Sequence, residues 1–221
     1  MCGRFTLTNV NKSELSKRFN GVDVPSKLKA AYNIAPSQDI PVILNTSPKV
    51  ISLVQWGLVS PWATDLKSAH RMNNARCETV TEKPSFKGPI KRSRCLVIAD
   101  SFYEWQRKGA RRQPFRILRD DESVFTMAGI WDTWKKGSKT LNTCTILTTS
   151  PNRLMRCIHH RMPVILPKEA EKKYLLSENM TEVLALLKPC DESLLKAYVV
   201  SDKVNSARNT DKNLIVPAEL I

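Results

Sequence analysis

Apolar residues fall along this chain in short runs that read as strands more often than helices. Runs at 41–44, 50–54, 94–99, 102–105, 114–118, 124–128, 143–147, 163–166 and 198–200 are rich in Val, Ile, Phe and Thr. Pro, Gly, Asp or Ser bounds them. β-Branched and aromatic side chains pack well on a pleated surface, and those bounding residues break the ladder. Residues 107–112 read as a hairpin loop with Gly109 at its tip. Helical spacing is rarer. Ser13 is placed to cap a short helix on which Leu15 and Phe19 share a face. Pro167 suits the first turn of a helix over 167–176, and Thr181 caps one over 182–187 that Pro189 stops. Many short strands with a few helices predict one α+β domain over residues 1–221. Its expected core is antiparallel and barrel-like, with the helices at the periphery. No repeat, low-complexity tract or long linker divides the chain.

Composition then narrows the chemistry. With 42% hydrophobic and 25% charged residues among 221, a sizeable core is within reach. There are seven glycines, and the closest pair, Gly129 and Gly137, lies eight positions apart. That spacing excludes G-x-G-x-x-G and the P-loop, which wrap a phosphate with backbone from neighbouring glycines. No apolar run approaches the ~18–20 residues of a membrane-spanning helix, and no secretory signal opens the chain. A cytoplasmic location follows as the expectation, at the nucleoid in a bacterium. None of the six cysteines stands in C-x-x-C, and H-E-x-x-H and G-x-S-x-G are absent. The expected protein is reduced, with no metal, no cofactor and no membrane partner.

Charge points to a polyanion. Thirty-five Lys and Arg against twenty-one Asp and Glu give +14, and neutralising phosphates releases counterions that drive binding. Residues 87–119 hold ten basic residues and two acidic ones, Asp100 and Glu104. A solvated basic face with no partner is the plainer alternative.

The candidate chemistry begins at Met1-Cys2-Gly3-Arg4-Phe5. Methionine aminopeptidases remove Met before a small residue such as Cys, and no longer pro-peptide is expected. An N-terminal Cys carries its amine and thiol on adjacent carbons. The amine condenses with an aldehyde, and the thiol then closes a five-membered thiazolidine. An α-amine, at pKa ≈ 7.7–8.0, is partly neutral near pH 7, whereas a Lys amine at ≈ 10.4 is not. Five other segments gather polar and aromatic residues: Tyr32-Asn33-Ile34-Ala35-Pro36, the stretch from Trp56-Gly57-Leu58 to Trp62, Asn74-Ala75-Arg76-Cys77-Glu78-Thr79, Phe102-Tyr103-Glu104-Trp105, and His159-His160-Arg161-Met162-Pro163. Each has a plainer reading. Cys2 is then a small residue in a terminal strand, one of Trp56 and Trp62 is core, Glu104 pairs with an arginine, and a histidine is a satisfied core group.

These six segments, in this order, resemble the SRAP family, the SOS-response-associated peptidases or abasic-site processing proteins. The resemblance runs from residue 2 to residue 163. It implies one domain that senses abasic sites in single-stranded DNA and cross-links itself to them. By motif position the nucleophile is Cys2, the sensing amide Asn74, the carboxylate Glu104 and the histidine His159, because the first histidine of His-x-Arg-Met-Pro matches. Arg4, Asn33 and Arg76 match polar positions of the DNA cleft, and Trp62 is similar to an aromatic near the lesion. In this sequence His160 stands where the family often has an acidic residue. On that assignment Glu104 shuttles a proton at the amine, and His159, near its ordinary pKa of 6.5, protonates the sugar ring oxygen. Arg4 and Arg76 grip phosphates, Trp62 stacks on a base, and the basic residues of 87–119 add unspecific affinity. The imine stage makes lyase chemistry possible, and any peptidase activity is confined to removing Met1. Two other readings remain: a cysteine hydrolase built on Cys2, His159 and Glu104, and a DNA-binding module with no catalysis.

Overall fold

A computed structural model describes residues 2–66 and 72–219. In chain order its elements are β1 (Arg4–Leu7), α1 (Lys12–Arg18), β2 (Ala31–Ile34), β3 (Asp39–Leu44), β4 (Ser47–Trp56), β5 (Asn74–Arg76), α2 (Pro84–Lys87) and α3 (Pro89–Arg92). They continue with β6 (Arg94–Ala99), β7 (Ser101–Lys108), β8 (Arg111–Arg119), β9 (Phe125–Lys136), β10 (Lys139–Thr149) and α4 (Arg153–Arg156). The last are β11 (Met162–Pro163), β12 (Ile165–Leu166), α5 (Lys168–Leu176), α6 (Met180–Ala185) and β13 (Leu195–Val199).

The predicted α+β class and barrel-like core are both present. Strands β4, β3, β6, β9 and β10 pair in that order, and β10 returns to β4 to close a five-stranded barrel. The closing contact is short, Thr143↔Gln55 and Cys144↔Trp56. The closing pair is parallel, as is the pairing of β5 with β10, so the barrel is not antiparallel throughout. Val42, Val97, Met127, Ile146 and other side chains without solvent exposure form the core. Gly129 on β9 permits this packing: a Cβ there would lie 2.8 Å from Cys95 Sγ and 3.1 Å from the Thr145 carbonyl oxygen.

A second, antiparallel sheet has the order β13-β8-β7-β1-β2. The chain passes from barrel strand β6 into β7 with Asp100 alone between them. Asp100 is buried and accepts hydrogen bonds from the Thr6 and Thr8 hydroxyls and from the Thr8 and Asn9 N–H groups. A buried carboxylate with this many donors is satisfied, and it ties the exit of β1 to the corner between the sheets. Phe5 of β1 packs edge-on against Trp56 of the barrel, with centroids 5.2 Å apart. The start of the chain is thereby held from both sides.

Most predicted strands fall where the apolar runs stand, and Gly109 takes φ +62° at the tip of the β7–β8 hairpin. Several expectations change. Asn11, not Ser13, caps α1, accepting from the N–H groups of Ser13 and Glu14. Asn179, not Thr181, caps α6, which ends at Ala185 and starts one residue earlier than Thr181. In both cases an Asn two residues upstream reaches two orphan amides at once. Pro167 is the residue before α5 rather than part of its first turn. The run at 163–166 divides at Val164 into β11 on β10 and β12 on β9. Strands β1, β2 and β5 were not legible as strands, since at three or four residues each they are too short for an alternation to stand out. Among the described residues no helix is long and apolar enough to cross a membrane.

Candidate active site

Four chain segments converge just before β1. Register carries two of them there. Strand β1 pairs with β7 through Arg4↔Tyr103 and Phe5↔Phe102, and the same register carried one residue further sets Gly3 across from Glu104. Strand β5 pairs with β10 through Ile146↔Asn74, and β10 pairs with β11 through Thr149↔Met162. The amide motif and the histidine motif are thus brought side by side by one barrel strand.

Cys2 is fully buried. Its carbonyl accepts a 2.7 Å hydrogen bond from Asn74 Nδ2, and its thiol points to the Arg4 carbonyl at 3.9 Å. Asn74 Oδ1 is buried and has no hydrogen-bond partner among the described residues. Such an acceptor is rare in a folded protein and is open to a ligand's donor. Burial pushes the Cys2 thiol far above its ordinary range, and the nearby Glu104 carboxylate pushes it further. Glu104 is itself 2% exposed, and burial raises its pKa.

His159 Nδ1 lies 3.8 Å from Glu104 Oε1 and 3.0 Å from the Arg161 N–H that points at it. Nδ1 also lies 3.2 Å from the Arg161 carbonyl oxygen, so the Arg161 backbone holds the ring in either tautomer, through its N–H or through its carbonyl. Burial lowers the His159 pKa to about 4. The expectation of an ordinary titration near 6.5 is therefore corrected: at neutral pH this ring is uncharged and acts as a hydrogen-bond donor, not an imidazolium. His160 is exposed and stacks on His159 with centroids 4.3 Å apart. The first histidine, not the second, faces the carboxylate.

Arg161 was not singled out from the sequence, yet it joins two motifs. Its guanidinium donates to both Glu78 carboxylate oxygens, at 2.6 and 2.8 Å, and to the Thr148 carbonyl at 2.6 Å. This fork holds Glu78 below the usual carboxylate range. The signal was present as the opposite charges of Glu78 and Arg161 in two of the six motif segments.

A family model described as SOS response associated peptidase (SRAP) matches residues 1–207. The chain belongs to the SRAP family. It is 43% identical to the abasic site processing protein YoqW of Bacillus subtilis, over 97% of this chain and 99% of that one. It is 35% identical to the abasic site processing protein HMCES of Gallus gallus, over 88% of this chain and 68% of that one. A solved structure of a protein from Bacteroides thetaiotaomicron superposes with a TM-score of 0.88 at 31% identity, covering 99% of this chain and all of that one.

The remaining positions of this SRAP protein divide into free and committed side chains. Trp62 is 64% exposed, and Arg76 is exposed with no side-chain partner among the described residues. Trp56 is the core tryptophan, fully buried with its Nε1 donating to the Asn73 carbonyl. Arg4 donates to Asn33 Oδ1 and to the carbonyls of Val204 and Asn205. Asn33 is buried and donates to the carbonyls of Val204, Ser206 and Asn209. Both residues anchor the segment after β13, and Trp105 joins them through Asn205. Sequence reasoning missed this segment, whose polar composition resembles any surface loop.

The basic stretch 87–119 is not one surface. Arg94 is buried and donates to the carbonyls of Ile90, Lys91, Tyr174, Leu175 and Ser177. Arg116 is buried against Ser101 and Tyr198, and Arg119 pairs with Asp121. Arg107, Lys108, Arg111 and Arg112 stay exposed at the end of the β7–β8 hairpin, the first of them three residues beyond Glu104 on β7. No cluster of metal-ligating side chains occurs among the described residues.

Proposed function

We propose that the chain captures abasic sites in single-stranded DNA by condensing the aldehyde of the opened deoxyribose with the N-terminal aminothiol of Cys2, after Met1 is removed. The observation that carries this reading is the setting of buried Cys2, two residues ahead of the clamped strand β1: Asn74 holds its carbonyl, and Glu104 lies near it with His159 against that carboxylate. The α-amine adds to the aldehyde carbon to give a carbinolamine. Glu104 takes the ammonium proton and returns one to the departing hydroxyl, so water leaves and an imine forms. The Cys2 sulfur then adds to the imine carbon, its proton passes to nitrogen, and the thiazolidine closes with no further loss. The neutral His159 ring donates its N–H to the sugar ring oxygen and favours opening. Asn74 fixes Cys2 through its carbonyl and offers Oδ1 to a sugar hydroxyl.

A raised thiol pKa supports this order of events. A buried, protonated thiol waits for an electrophile, whereas a cysteine hydrolase needs a thiolate, which burial and Glu104 both oppose. Trp62 and Arg76 are free to stack on a base and hold a phosphate. From the same imine, β-elimination gives a lyase side reaction whenever ring closure is slow. Arg4 and Asn33 act on DNA at second hand, through the backbone segment they anchor.

Blocking the amine tests the aminothiol directly. A form that keeps any residue ahead of Cys2 retains the thiol but should give no stable adduct. A hydrolase would be unaffected, since its amine is already in a peptide bond. Undiminished adduct in that form would end the aminothiol account. The exposed hairpin gives a second expectation. Charge reversal at Arg107, Arg111 and Arg112 should reduce the slope of log affinity against log salt by about 2 if each meets one phosphate of a single strand. An unchanged slope assigns the hairpin to a solvated face.

A further inference from the structure

A groove of about 620 Å³ lies between the end of α1, the β3–β4 turn and α5, and it shares no residue with the catalytic cluster. Its floor is apolar: Phe19, Val22, Ile43, Leu96 and Leu175 line it. Leu176 stands at its lip, 42% exposed. The rim carries Lys49, Lys168 and Lys172, all exposed and none in an ion pair among the described residues. Arg18 and Glu171 also line the groove, but they close on each other, and Thr126 completes Glu171. That leaves Glu169 as the one carboxylate facing three free ammonium groups. The volume is that of a site taking a small ligand or a few side chains.

We infer that this groove docks an acidic peptide segment of a partner protein, with one or two apolar side chains on the floor and carboxylates against the three lysines. The charge arrangement selects the occupant. An apolar floor alone would take any hydrophobe, and a cationic rim alone any anion. Together they fit an acidic peptide with an aliphatic or aromatic anchor. Single-stranded nucleic acid fits less well, because bases need an open aromatic face. The Phe19 ring is the floor's only aromatic one, and the Arg18 guanidinium covers it at 4.6 Å. Such a site, away from Cys2, would recruit the protein without competing for DNA.

The test is fluorescence anisotropy with a labelled acidic decapeptide ending in Leu-Phe, the same peptide ending in Ser-Ser, and labelled oligothymidine. The first peptide should bind saturably, and the serine form at least about tenfold more weakly. The double variant Lys168→Glu, Lys172→Glu, at two exposed positions, should bind the first peptide about tenfold more weakly. Its cross-linking to abasic DNA should be unchanged, so a failure of the groove is separable from a failure of the Cys2 chemistry. Absence of saturable peptide binding overturns the inference, as does equal binding by the serine peptide or the charge-reversed variant. Oligothymidine binding that the same variant abolishes, with no peptide bound, would reassign the groove to nucleic acid.

Discussion

Cys2→Ala is expected to yield no heat-stable adduct with single-stranded DNA bearing an abasic site, while its non-covalent affinity for that DNA stays at the parent level. The substituted position is fully buried, so loss of the sulfur should cost of order 1 kcal/mol of stability and leave the fold intact. Ala and Ser are also small, so Met1 should be removed from both variants. Cys2→Ser then separates the two functional groups. Its amine still condenses with the aldehyde, and borohydride should trap that imine. Its hydroxyl closes the ring poorly, so little adduct should survive without reduction. Equal heat-stable adduct from Cys2→Ala on a denaturing gel would place the bond elsewhere.

Glu104→Gln should slow cross-linking by about 10²–10⁴-fold, the usual worth of a positioned acid–base group, and leave DNA affinity unchanged. The pH profile distinguishes proton transfer from mere positioning. Burial raises the Glu104 pKa above its ordinary 4.5. The wild-type rate should therefore fall as pH drops through that raised value and the carboxylate is protonated. In Glu104→Gln that limb should vanish, and the residual rate should rise with pH as the α-amine loses its proton near 8. The sign for stability is the reverse of the common carboxylate case. A buried acid with a raised pKa costs folding free energy once pH exceeds it, so Glu104→Gln should melt no lower than wild type at neutral pH. His159→Ala should slow the reaction less, since the ring, at a pKa of about 4, supplies a hydrogen bond and not a formal proton. A larger loss in His160→Ala than in His159→Ala would reverse the assignment of the ring facing Glu104.

What the sequence made legible follows from what each signal measures. Apolar runs report burial on both faces of a strand, so barrel strands such as 94–99 stand where they were expected. Strand β5 (Asn74–Arg76) has too few apolar residues to signal, and its pairing with β10 is a tertiary fact. The motif residues were named from the chain, but their states were not. Burial that lowers His159 and raises Glu104 arises from packing against segments distant in sequence. Arginines carry the same lesson. Arg94, Arg107 and Arg116 look alike in a charge count, yet two of them cap carbonyls or hydroxyls in the interior and one points to solvent. Arg4 and Asn33 sit in matching motifs, while their bonds to the segment after β13 span most of the chain.

The central claim is a single bond arrangement at Cys2, and intact mass measures it. Wild-type protein mixed with an abasic oligonucleotide should give a species equal to the Met-less chain plus DNA minus one water, with the DNA mapped to the N-terminal peptide. Imine formation expels that water, and ring closure expels nothing. An adduct that retains Met1, that loses no water, or that maps to an internal Lys or Cys would contradict it.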